Sequence, residues 1–253
     1  LPPRVVLMVS SECNAKCKHC YLPYQGSRSP EDTLDAVLKL QEAGHKVIIA
    51  GSENLLNPSY FACYQAAGQN HILTNGLLLH KDKSLYQELE KAGIKSLELS
   101  LHFEVDNELN CVPEKIVGEV IMEAKKRGFR VELNSIVTSK NYFHIQEVCK
   151  NAAKYGADAL YFGRFVPLGR GKDNAHLKLN ESMVSETFRQ ISEARSHHQL
   201  LKIFADGHFG PRPGSLGEIL AKNNRYCPAG IWIATIDPGN NVYGCPFTMG
   251  PEH

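Results

Sequence analysis

Ser11-Glu12-Cys13-Asn14-Ala15-Lys16-Cys17-Lys18-His19-Cys20-Tyr21 is the stretch from which the rest of the chain is read. It sets Cys13, Cys17 and Cys20 in the spacing C-x3-C-x2-C. Three thiolates on so short a segment can hold three corners of a four-iron cluster, for which cysteine is the usual ligand. No neighbouring side chain stands out as a fourth ligand, and an iron lacking one can bind a molecule from outside. Zinc is the competing reading. A closed structural zinc site needs four ligands, commonly in two separated pairs, and only His19, wedged against Cys20, is on offer. A third reading gives the three cysteines no shared role.

Outward from this loop, short β-branched or leucine-rich runs alternate with longer amphipathic stretches. Strands are expected at Val5 to Val9, Val47 to Ala50, His71 to Leu73, Ser96 to Leu101, Arg130 to Val137 and Ala159 to Phe165. Helices are expected from Glu31 to Ala43, after Asn57-Pro58, and at Ser84 to Lys91, Pro113 to Arg127 and Tyr142 to Tyr155. Ser29-Pro30 is a helix start, and glycines such as Gly44 and Gly156 are stops. Six strand–helix repeats imply an α/β fold with a parallel sheet. Apolar strands such as Val47-Ile48-Ile49-Ala50 predict burial on both faces. Periodicity alone does not separate an open doubly wound sheet from a barrel. Beyond Pro167 to Lys172, read as the exit from this core, come one helix (Ser182 to Ser196) and a loop-rich segment. A hairpin of Ile231 to Ile236 with Val242-Tyr243 turns at Asp237-Pro238-Gly239-Asn240.

The cysteine block, written C-N-x-x-C-x-H-C-Y, resembles the signature of the radical SAM (S-adenosylmethionine, SAM) superfamily, in the branch with C-terminal SPASM or Twitch extensions. The resemblance covers about residues 5 to 250. It implies a partial (β/α)6 TIM-like barrel over residues 1–172, with the cluster at the C-terminal ends of the strands, and a small SPASM/Twitch-like extension over 173–253. It also implies a [4Fe-4S] cluster on Cys13, Cys17 and Cys20, with SAM chelating the fourth iron. Reductive cleavage of SAM would give a 5′-deoxyadenosyl radical that abstracts hydrogen from a substrate.

Further residues follow from the same resemblance. Gly51-Ser52-Glu53 stands where the family carries Gly-Gly-Glu, which binds the SAM amino group; a carboxylate there can pair with an ammonium. Ser100 and His102 end strand four, where relatives have a serine contacting SAM and often an aspartate. Asn134 and Ser135 match a region touching ribose and methionine, His19 lies where a residue packs near adenine, and Arg164 is assigned to the SAM carboxylate or the substrate. Thr74-Asn75-Gly76 follows strand three, as it often does in this branch, but asparagine before glycine is an ordinary turn and receives no ligand role. Cys227 and Cys245 flank the hairpin as ligands of a possible auxiliary iron–sulfur cluster, and the sequence stops eight residues after Cys245. That leaves truncation, an incomplete cluster, or two buried cysteines without one. Cys111, in a loop on the catalytic side, could donate a hydrogen atom to a substrate radical.

Composition bounds the partners. Basic and acidic residues balance at 28 against 27, and no basic aromatic patch is visible, so no nucleic acid is expected. No apolar run approaches a membrane span, and the start lacks the features of a signal peptide. The eight cysteines cluster mainly at one loop and a C-terminal pair, which fits metal binding in a reducing, cytoplasmic setting better than disulfides. The resemblance implies a ribosomally made peptide as substrate (crosslinked, joined by a thioether, or epimerised) and a reducing partner such as a flavodoxin or ferredoxin. The runner-up is a small-molecule dehydrogenase or a cofactor-biosynthesis enzyme. A non-catalytic iron–sulfur carrier is the reading from a different class.

Overall fold

The computed structural model describes residues 1–23, 25–101, 112–205 and 229–249. Strand β1 (Arg4–Met8) opens the chain, and the cysteine loop leads from it to helix α1 (Pro30–Glu42). Ser29 caps that helix: its backbone is extended, its hydroxyl accepts the N–H of Asp32, and Pro30 fills the first helical position. Proline costs nothing there, because the missing N–H would have had no partner. The alternation continues through β2 (Lys46–Ala50), α2 (Phe61–Ala66), β3 (His71–Thr74), α3 (Leu77–Lys81) and α4 (Ser84–Lys91). Next come β4 (Ser96–Ser100), α5 (Glu114–Lys126), β5 (Arg130–Val137), α6 (Ile145–Tyr155) and β6 (Ala159–Arg164). After α7 (Glu181–His197) come β7 (Lys202–Ala205), β8 (Ile233–Ile236) and β9 (Val242–Tyr243).

Strand order decides between sheet and barrel. One sheet runs β3-β4-β5-β6-β7, all parallel, and the other runs β2-β1-β8-β9. Strands one to seven therefore stand in sequence order without the reversal that marks a doubly wound sheet, as in the wall of a barrel. The two sheets abut between β2 and β3, where a side chain replaces the ladder. Gln69 accepts the N–H of Ile49 on β2 at 2.7 Å and donates to the carbonyls of Ile49 and of His71 on β3, each at 3.0 Å. The sheet also runs past the expected exit at Lys172, since β7 pairs with β6 from Ala159↔Lys202 to Phe162↔Ala205.

Burial on both faces does not hold. Along β5, Val131, Leu133, Ser135 and Val137 are buried, whereas Glu132, Asn134 and Ile136 on the other face are only half-buried. The buried face packs against the helices, with Val117, Val120 and Ile121 of α5 and Val148, Cys149 and Ala152 of α6 in the same core. The half-buried face is the lumen of the partial barrel, and register lays residues across it in rows. Ser100, Asn134, Tyr161 and Phe204 form one row over four strands, with the Tyr161 and Phe204 rings stacked at 4.8 Å. The row below holds Leu73, Glu98 and Glu132.

The expected C-terminal hairpin forms, with Thr235 opposite Tyr243. It does not stand apart, because β8 lies parallel to β1 from Arg4↔Ile233 to Leu7↔Ile236. Asp237, 1% exposed, organises the turn by accepting the backbone N–H and side-chain amide of Asn241. Asn240 takes the left-handed conformation at φ 69°, which asparagine tolerates. Among the described residues no helix is long and apolar enough to cross a membrane.

Candidate functional site

The C-terminal ends of β1, β2 and β3 feed three loops into one another. Ser52 N–H donates to the Ser10 carbonyl at 3.0 Å, and Glu53 N–H donates to the Glu12 carbonyl at 3.1 Å. Gly51 makes room within the second loop for the buried Asn54 side chain, whose Oδ1 would lie 2.1 Å from a Cβ there. The second loop is thus fastened to the first immediately before Cys13.

Glu53 is buried at 1% exposure. Its carboxylate accepts the Thr74 hydroxyl at 2.8 Å and the Asn75 N–H at 2.7 Å, both from the third loop. Burial pushes its carboxyl from 4.5 up to about 7, against the lowering effect of the bonds from Asn75, Thr74 and the Leu55 N–H. A carboxyl held this way gains most from a cation that reaches it, because the cation offsets the desolvation that burial imposes.

Cys13, Cys17 and Cys20 are half-buried, and none of them is in a disulfide. Burial pushes the Cys13 thiol up, opposed by the N–H of Ala15 and the amide of Asn75. Without a metal it rests as a neutral thiol, and metal binding would displace its proton. Among the described residues no three His, Cys, Asp or Glu side chains gather round one point as a single-ion site. A four-iron cluster differs in taking each thiolate on a separate iron. Three cysteine thiols on one loop are a donor set that such a cluster takes.

Asn75, taken from the sequence as a mere turn residue, is central. Its side-chain amide donates to Cys13 Sγ at 3.7 Å and to Asn14 Oδ1 at 2.7 Å, while its backbone N–H serves Glu53. One residue thus touches a metal-ligand candidate and the buried carboxylate. The available signal was position: Thr74-Asn75-Gly76 ends β3 as Gly51-Ser52-Glu53 ends β2.

The remaining candidates divide by face. Ser100 and Asn134 share the lumen row, and Asn134 donates to Glu98. Ser135 is buried on the helix-packed face, and register carries Arg164, opposite Val137, to that same face at an exposed strand end. A strand side chain alternates with its neighbour, so Asn134 and Ser135 do not line one wall. His19 is half-buried within the cysteine loop. His102, Cys111 and Cys227 lie outside the described residues. Cys245 is half-buried after β9, and beyond it Phe247 packs on Tyr21 at 4.5 Å between ring centroids.

Known proteins share parts of this chain's sequence and fold. The chain is similar to the mycofactocin maturase MftC of Mycobacterium tuberculosis, with 25% identity over 268 residues covering 94% of this chain and 62% of MftC. Its fold superposes on Streptococcus suis SuiB, crystallised with the precursor peptide SuiA, at a TM-score of 0.78 and 16% identity, covering 100% of this chain and 61% of that one. It superposes on anSMEcpe, solved with bound AdoMet, at 0.72 and 17% identity, covering 98% and 76%. The chain thus spans about three fifths of the length of MftC and SuiB. Residues 7–108, which begin within β1, take in the three fastened loops and run past β4, match the profile of the Radical SAM superfamily, and the chain carries a domain of that family.

Proposed function

We propose that this chain is the catalytic part of an enzyme that cleaves SAM reductively and directs the resulting radical at a ribosomally made peptide. One observation carries the reading: a loop bearing three cysteines, none of them in a disulfide, is tied through the Asn75–Cys13 bond to a buried carboxylate that accepts from the neutral groups of Thr74 and Asn75. Cys13, Cys17 and Cys20 would hold a [4Fe-4S] cluster, which when bound supplies the electron for cleavage of the SAM sulfonium bond. Glu53 receives the SAM ammonium, and Thr74 and Asn75 fix the carboxylate that does so. Ser100 and Asn134 meet the nucleoside from the lumen wall. The stacked rings of Tyr161 and Phe204, partly exposed at the far end of that row, would meet the substrate. Cys245, with Cys227, would serve an auxiliary cluster, and a flavodoxin or ferredoxin would supply electrons.

Peptide as the substrate class draws support from SuiB, solved with its precursor peptide, and from anSMEcpe, solved with a Cp18Cys peptide. The test is anaerobic reconstitution followed by reduction in the presence of SAM. Release of 5′-deoxyadenosine and methionine is expected, and their absence from protein with a full four-iron complement refutes the reading. Mass spectrometry of a co-incubated precursor peptide then decides the substrate, through loss of two hydrogens for a crosslink or thioether, or uptake of solvent deuterium for epimerisation.

A further inference from the structure

The carbonyls of the cysteine loop are held from an unexpected direction. The segment Gly169-Arg170-Gly171, with Asn174, follows β6, a strand that shares no ladder with β1. It nevertheless reaches the loop after β1 at three points. Arg170 Nε donates to the Cys17 carbonyl at 3.0 Å, Gly171 N–H to the Cys20 carbonyl at 3.2 Å, and the Asn174 amide to the Lys18 carbonyl at 3.3 Å. Gly169 makes the approach possible. Its φ is +53°, and a Cβ there would lie 2.7 Å from the backbone of Tyr21 and Leu22. Backbone against backbone cannot give way as a flexible side chain can, so the contact admits glycine only.

We propose that residues 169–174 form a clasp that positions the cysteine loop for its cluster, with Arg170 as the positioning residue. The inference rests on the function proposed above and adds a control that the cysteine spacing does not contain. Two of the three carbonyls belong to cysteines of the C-x3-C-x2-C motif, so the clasp fixes the peptide planes from which two sulfurs project. The guanidinium also places a positive charge beside the loop. A cation there favours the more negative, reduced state of a cluster and raises its potential.

Hydrogen exchange measured by mass spectrometry on the metal-free chain tests the clasp itself. Arg170→Ala and Gly169→Ala should speed exchange several-fold in the peptide spanning residues 12–22, with the exchange of β3 to β6 unmoved. Redox titration and chelator challenge of the reconstituted protein test the positioning. Arg170→Ala should lower the midpoint potential and shorten the cluster's lifetime several-fold, and Arg170→Lys should restore the potential more fully than the lifetime. Unchanged exchange in both variants overturns the proposal, whether or not a cluster forms. Faster exchange with unaltered potential and lifetime overturns it too, because the clasp would then not govern the metal site. A wild-type chain that assembles no four-iron cluster refutes the proposed function instead, and the exchange measurements still decide whether the clasp exists.

Discussion

Replacing Glu53 by glutamine should stabilise the metal-free protein at neutral and alkaline pH. The buried carboxyl titrates at about 7 against 4.5 for a free one. Because the folded value lies above the unfolded one, the native state binds more protons than the unfolded state between these limits, so stability falls as pH rises through that window. At about 1.4 kcal/mol per pH unit the whole loss comes to roughly 3 kcal/mol, of which about 2 kcal/mol falls between pH 5.5 and 8. Glutamine imitates the protonated acid, with one donor and one acceptor facing Thr74 and Asn75, and does not ionise. Urea unfolding of both forms at the two pH values isolates this residue, because other titrations cancel in the difference. The advantage of Glu53→Gln over wild type should grow by about 2 kcal/mol from pH 5.5 to 8. An advantage equal at both pH values refutes the account of Glu53 as a carboxylate kept at a cost to the fold.

The same carboxylate sets the pH dependence of SAM binding with the opposite sign. With Glu53 titrating at about 7 and an α-amino group near 8, affinity should be about fivefold tighter at pH 7.5 than at pH 6, read by calorimetry on the reconstituted protein. Gln69→Leu strips the bridge between the sheets and leaves the backbone N–H and carbonyl of Ile49 without their side-chain partner. It should cost about 2 to 3 kcal/mol in denaturant unfolding, and a loss well below 1 kcal/mol would show that the seam needs no bridge. Asn75→Leu removes the N–H donated to Cys13 Sγ, and since such bonds raise cluster potentials, the midpoint should move negative in a redox titration.

Much of the fold was legible because its signals are local. Ser29-Pro30 starts α1 where the cap and proline rules place it, and β5 runs from Arg130 to Val137 as its apolar alternation suggests. What escaped depends on tertiary neighbours. β7 has only four residues, Lys202-Ile203-Phe204-Ala205, and becomes a strand by pairing with β6. Val47-Ile48-Ile49-Ala50 looks like a doubly buried strand, yet Ile48 and Ala50 are only half-buried on the face opposite Val47 and Ile49. At the site, residue type and position picked out Cys13, Cys17, Cys20 and Glu53. Asn75 and Arg170 stayed hidden, since a turn residue and a linker arginine become informative only when the loops they touch lie far away in sequence.

The pairing of β1 with β8 has a consequence for biogenesis. Strand β1 finds one of its two neighbours about 230 residues later in the sequence, and contacts of such separation form slowly. Until β8 is made, the backbone groups of β1 that will pair with it stay unpaired, and such an edge invites association with other chains. Slow closure of the fold around the cysteine loop, complete only once β8 has been made, is the natural outcome of that architecture.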